Sequence, residues 1–290
     1  MGYLHIDNLY KNLDILLMRE CYALEKIHGT SAHVSWNGGM LKFFAGGVSY
    51  EDFVALFDVD ALTAKFAAKF TSLVDVVIYG EAYGGKCQQM SATYGEDLRF
   101  VAFDVKVGDC WLAVPNAVDL VLEMGLEFVS YQRIPADILS IEVQRNADSV
   151  QAVRNGIGVG KMREGVVLRP LQEFTTNNGS RLIVKCKRDE FRETATSREL
   201  RGSPDEIAIL TDAKRVADEW VTAMRLAHVL DKLGACDITR TKEVIDAMVE
   251  DVEREASGEI ISDKNIRKAI GKATSVLFKS HLEDSLKKVV

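Results

Sequence analysis

Lys26 lies in the run Leu24-Glu25-Lys26-Ile27-His28-Gly29-Thr30, which reads as a short strand opening into a glycine turn. A lysine attacks as a nucleophile only when burial or neighbouring cations favour its neutral form. K-x-x-G is a common pattern, and its weight here comes from four later segments. Ile183-Val184-Lys185-Cys186-Lys187 reads as a strand in which Leu182, Val184 and Cys186 face the core and Arg181, Ile183, Lys185 and Lys187 face the other way. Two ammonium groups on one face make either a phosphate platform or a solvated strand face. From Gln151 to Arg192 there are nine Lys/Arg against four Asp/Glu, in a chain of net charge −7. Glu164, before Gly165 at a strand start, could hold a hard cation together with waters and phosphate oxygens, or be a surface carboxylate. Arg169, at the end of the same strand, could bind phosphate.

Glu81 follows the apolar run Val76-Val77-Ile78, where a carboxylate can accept from ribose hydroxyls or simply terminate the strand. Phe103 offers a ring that could stack on a purine or pack in the core. Asp104 sits in an otherwise apolar strand and needs a partner. Asn155 to Met162 looks like a phosphate-binding glycine loop, but Met162 stands where a hydroxyl is required, and the spacing is wrong.

The elements that must position these groups change character along the chain. From about Leu24 to Phe191, short alternating strands dominate, with strands expected at Val74–Ile78, Phe100–Val105 and Leu182–Lys187. Helical spacing covers Glu51–Phe70 and Val114–Met124, the second with Pro115 in its first turn. After Arg192 the texture is helical. Ser203-Pro204-Asp205-Glu206 is a helix start, and Val216, Trp220, Ala223, Ala227 and Leu230 share one face of a helix that Gly234 ends. Thr239–Ala256 and Ser262–Leu286 add two amphipathic helices, with Gly258 between them. The expected architecture is α+β over residues 1–200, followed by an all-helical domain over 201–290.

Composition removes several classes of function. A net charge of −7 excludes a uniformly basic nucleic-acid binder, though not a local basic groove. Five cysteines without C-x-x-C spacing imply neither a zinc site nor a disulfide framework, and point to reduced thiols in the cytoplasm. No signal peptide and no apolar run near the ~20 residues of a membrane span is present.

Taken in order, the segments around Lys26, Glu81, Phe103, Glu164 and Lys185/Lys187 resemble the covalent nucleotidyltransferase superfamily of ATP-dependent ligases and capping enzymes. With His28 before Gly29, the first segment resembles the branch of RNA ligases that contains the phage nick-sealing enzyme and the kinetoplastid RNA-editing ligases. The resemblance implies an ATP-grasp-like ligase adenylation domain of antiparallel sheets and helices. It also implies ATP as co-substrate, Mg²⁺ or Mn²⁺ as metal, and an RNA partner presented as a nicked duplex or paired ends. The protein would act as a monomer in the cytoplasm of a bacterium or a phage-infected cell.

Roles follow by resemblance. Lys26 would carry AMP, with Glu25 and Ile27 beside it at the nucleotide. Glu81 would bind ribose, Phe103 would stack on adenine, and Glu164 would serve the metal. Lys185, Lys187 and Arg169 would contact phosphate. His28 would act when AMP passes to a 5′-phosphate, and Asp104 would help arrange the 3′-OH. The family's arginine after the first motif has no counterpart in Leu41–Gly47, where Lys42 could supply only a point charge. The helical domain could clamp duplex backbone through Arg240, Lys242, Lys264, Arg267, Lys268 and Lys272. Sealing of DNA nicks, or nucleotide binding without catalysis, are the alternatives.

Overall fold

In the computed structural model, residues 2–175, 179–191, 204–257 and 259–287 are described. The alternating stretches become two five-stranded sheets. One runs in the order β1 (Asp7–Asn8), β10 (Val184–Lys187), β9 (Gly165–Pro170), β2 (Glu20–Lys26), β8 (Tyr131–Pro135). The other runs β4 (Met40–Phe44), β3 (Thr30–Asn37), β5 (Val76–Gly84), β6 (Leu98–Val107), β7 (Cys110–Trp111). All pairings are antiparallel except β1 with β10. The apolar run at Val76 continues through Glu81 to Gly84, so Glu81 lies within a strand rather than at its end.

Short helices cover the sheets: α1 (Tyr50–Val54), α2 (Val59–Lys69), α3 (Ser91–Tyr94), α4 (Val114–Glu123), α5 (Ile138–Arg145) and α6 (Val150–Arg154). The helical spacing over Glu51–Phe70 is therefore two helices, not one. Asp58 caps the second by accepting from the Ala61 amide at 3.0 Å, which breaks the run. Val34, Trp36, Phe66, Ile78, Val101, Val105 and Val121 form one core cluster. At ~25 cal/mol per Å² of apolar surface, each such side chain stabilises the fold by roughly 1.5–3 kcal/mol.

The described residues divide by contact into two units. One comprises residues 2–12 and 20–191, and the other residues 13–19 and 204–287. The second is all helical: α7 (Pro204–Trp220), α8 (Ala223–Leu233), α9 (Thr241–Glu255) and α10 (Lys264–Lys287). Ala213, Ala217, Leu226, Val229, Val244, Met248, Val252, Ile270 and Phe278 make its core, and Leu17 from the turn at Asp14–Leu17 joins them. The single helix expected through Leu230 is interrupted. The Thr222 hydroxyl accepts from the Arg225 amide at 3.2 Å and starts a new helix, so Ala223 and Ala227 turn outward and Leu226 and Val229 inward. The proposed cap at Ser203, the boundary at Arg192 and the break at Gly258 lie outside the described residues.

Candidate active site

Strand register brings the chemistry together. Lys26 ends β2 opposite Gly165, which begins β9, and Gly165 stands opposite Lys187, which ends β10. Directly opposed residues share a face, so Lys26 and Lys187 flank the start of β9, with Glu164 one residue before it. Gly165 has φ +152, and a Cβ there would lie 2.2 Å from the Cys186 carbonyl oxygen. Only a bare α-carbon lets the strands approach this closely and keeps Glu164 between the lysines. Gly29 is as tightly placed, since its Cβ would meet the Ala82 carbonyl oxygen at 2.3 Å.

Glu164 is the hub. Its carboxylate is 1% exposed and receives Lys26 Nζ on Oε2 at 2.8 Å and Lys187 Nζ on Oε1 at 2.8 Å. His28 Nδ1 lies 3.3 Å from Oε2. Burial alone would raise its pKa, but the His28 hydrogen bond and the two ammonium groups outweigh burial and hold it down at about 2. Glu81 is governed the other way. Burial pushes it up to about 7 despite the Lys26 charge, and nearby Glu164 pushes in the same direction.

A pocket of about 360 Å³ opens beside Lys26, within the size of small-molecule sites. The sheet face of Leu24, Lys26, Val167, Arg169, Ile183 and Lys185 forms one side. Ser31, Glu81 and Phe103 come from the second sheet, and Glu25 and Ile27 complete the Lys26 segment. The N-terminal residues Tyr3–Ile6 also line it, carried there by the parallel pairing of Asp7 and Asn8 with Val184 and Lys185. The Ser31 hydroxyl oxygen is buried with no hydrogen-bond partner among the described residues, in register with Glu81. A polar ligand in the pocket would satisfy it.

The pocket thus gathers Glu25, Lys26, Ile27, Glu81, Phe103, Arg169 and Lys185, and the Glu164 cluster adjoins it with His28 and Lys187. Other expected residues sit differently. Lys42 does not reach the pocket. It pairs with Ser35 and donates to Asn37 Oδ1 at 3.1 Å, and Ser35 is four residues along β3 from Ser31, about 13 Å at strand rise. The Glu25 carboxylate points to the opposite face, where it accepts from Ser149 Oγ at 2.6 Å and the Val150 amide at 3.0 Å; only its backbone is left for a nucleotide.

Asp104 is fully buried. It accepts from Arg169 Nη1 at 2.9 Å, Arg181 Nη1 at 2.7 Å and the Tyr3 hydroxyl at 2.5 Å. Arg169 is engaged further by Glu173 and the Leu112 carbonyl. This network answers the partner question for Asp104. Asp104 thus faces Arg169 and Arg181, while Arg169 reaches the pocket wall with its guanidinium bonded to Asp104 and Glu173. Ile183 lines the pocket on the same face as Lys185, as its spacing implied, and is buried there. Ser31 and Tyr3–Ile6 escaped the sequence reading: Ser31 stands five residues from Lys26, a signal that was available, whereas nothing local marks Tyr3.

Among the described residues no three His, Cys, Asp or Glu side chains gather as a metal cage. A single buried carboxylate beside a phosphate-sized space still fits Mg²⁺, which keeps waters and takes one or two carboxylates plus phosphate oxygens. No helix among these residues is long and apolar enough to cross a membrane.

A family profile described as RNA ligase matches residues 19–187, more than half of the chain, and the chain belongs to that family. Among solved structures it is similar to the RNA ligase of Naegleria gruberi. A ligand-free point mutant of that enzyme matches with TM-score 0.49 and 14% identity over 66% of this chain and 56% of that one. The form with PPi gives 0.49 and 12% over 66% and 57%, and a mutant with ATP and Mn gives 0.48 and 14% over 66% and 57%. The chain therefore spans little more than half the length of those proteins. No curated protein matches.

Proposed function

We propose that this RNA ligase joins 3′-OH and 5′-phosphate ends of RNA at nicks in a duplex, by way of ATP and a covalent lysyl-AMP on Lys26. The observation that carries the reading is the placement of Lys26 at the mouth of the pocket, with Glu164, Lys187 and His28 converging on one point.

An ammonium is not a nucleophile, so Lys26 must leave Glu164 and lose a proton before it attacks. Its Nζ then bonds to the α-phosphorus of ATP as the bond to the bridging oxygen breaks, and pyrophosphate leaves with that electron pair. Lys185 and Lys187 offset the charge on the phosphate oxygens, and phosphoryl transfer depends mainly on such positioning and cationic stabilisation. Phe103 supplies the aromatic wall for adenine. Glu81 and Ser31 face the ribose, and the uptake of a proton by Glu81 near pH 7 lets it donate as well as accept. Mg²⁺ or Mn²⁺ at Glu164 would neutralise phosphate charge when bound. His28, on the Glu164 cluster, serves the transfer of AMP from Lys26 to the RNA 5′-phosphate. The 3′-OH then displaces AMP. The helical unit of residues 201–290 holds the substrate, and the protein works as a monomer.

Incubation with α-labelled ATP and Mg²⁺ is expected to leave label on the protein, and Lys26→Ala to reduce labelling at least ~10³-fold, the scale of losing a covalent nucleophile. Continued labelling of that variant would remove Lys26 from the mechanism. Matched all-RNA and all-DNA nicks test the substrate, with faster sealing of RNA expected.

A further inference from the structure

The helical unit contains a cluster of cations that the chemistry above does not use. Asp251 on α9 is a buried carboxylate, 8% exposed, that accepts from Arg225 Nη1 at 2.7 Å and Lys232 Nζ at 3.1 Å and also pairs with Arg254. The cations themselves reach solvent: the Lys232 and Arg254 side chains are 60% and 59% exposed. They rim a concavity of about 360 Å³ between α8 and α9, which His228 and Thr222 also line. Glu255 is the second carboxylate there, so three permanent cations face two anions. Arg225 is held in place, since its Nε donates to the Trp220 carbonyl at 3.0 Å and its guanidinium lies 5.2 Å over the Trp220 ring. A site fixed in this way binds without first ordering its own side chains.

Four of the six basic residues that suggested a clamp are ion-paired as well, one or two to a carboxylate rather than three. Arg240 pairs with Glu243, Arg267 with Glu253, and Lys268 and Lys272 with Asp14.

We propose that the Arg225–Lys232–Arg254 concavity binds a backbone phosphate of duplex RNA and gives the helical unit its grip on substrate. The proposal rests on the ligase reading for the identity of the ligand. A phosphodiester carries two acceptor oxygens that suit guanidinium forks, and duplex RNA is recognised largely through phosphates. Asp251 sets the cations around one point, and their surplus charge faces solvent.

The full chain is titrated with a nicked RNA duplex, 3′-OH and 5′-phosphate at the nick, by fluorescence anisotropy across a salt series. Lys232→Gln/Arg254→Gln keeps Arg225 on Asp251 and so spares the buried charge from isolation, and Lys232→Glu reverses one charge. The double variant is expected to bind about tenfold more weakly. Its slope of log K against log salt is expected to be shallower by about one unit for each phosphate that the protein no longer neutralises. Arg215→Gln, an exposed change on α7 outside the concavity, is expected to match wild type. ATP-dependent labelling of Lys26 together with an unchanged helical circular-dichroism signal is the folding control. Wild-type affinity and salt slope in a double variant that still labels would overturn the proposal, and would leave the concavity to an acidic protein partner. Absence of labelling in the wild-type chain would instead strike the ligase reading, whatever the RNA titration shows.

Discussion

Two carboxylates that feel the charge of Lys26 are driven in opposite directions. Glu164 is kept ionised by the cations that touch it, and Glu81 is pushed toward its neutral form by burial. The second has a consequence for stability. Between its ordinary value of 4.5 and about 7, Glu81 holds a proton in the folded state that the unfolded chain has lost. Folded-state stability then falls as pH rises through that window, by about 3 kcal/mol at most, and the deficit persists above it. Glu81→Gln removes the titrating group. Its melting temperature should equal that of wild type near pH 4.5 and exceed it by several degrees at pH 8. A difference that does not change with pH would show that Glu81 stays ionised in the fold. Lys187 and Lys26 were both readable from sequence because each needs only its own strand to face the right way. The Asp104 network was not, since Arg169 and Arg181 reach it from 65 and 77 residues along the chain.

At the scale of elements, the site depends on three strand ends lying level. Gly165 sets that level, and Gly165→Ala would force a methyl group against the Cys186 carbonyl at an unfavourable φ. The expected cost is about 3 kcal/mol or more, with a matching fall in Lys26 labelling as Glu164 moves off the lysines. Thermal unfolding and the labelling assay check the two halves. Strand identities were largely visible in the alternation of residue types, and the boundaries less so. Asp58 and Thr222 cut what looked like continuous helices, because one side-chain oxygen on a backbone amide outweighs a helical pattern that runs across it. The two-residue β1 left no periodic trace at all, yet it brings Tyr3–Ile6 to the pocket. Short strands carry too few residues to show a period, so their pairing is decided by the edge that awaits them.

At the scale of the molecule, the chain passes into the helical unit early and again late, because residues 13–19 belong with the C-terminal helices. Leu17 is 5% exposed within that helical core, and Asp14 is held by Lys268 and Lys272. A fragment ending at residue 203 would keep Leu17 but lose its cover. It is expected to aggregate, and Leu17→Asn is expected to restore much of its solubility, as light scattering would report. Equal solubility of both fragments would show that the turn finds cover elsewhere. The same insertion bears on how the protein is made. Asp14 bonds to a lysine 258 residues further on. At a ribosomal pace of roughly 5–20 residues per second, its partner follows about ten to fifty seconds later. For that interval the nascent chain carries the apolar turn at Leu17 without the helices that bury it. The early segment is therefore a natural place for a chaperone to hold, and the helical unit cannot close until α10 has been made.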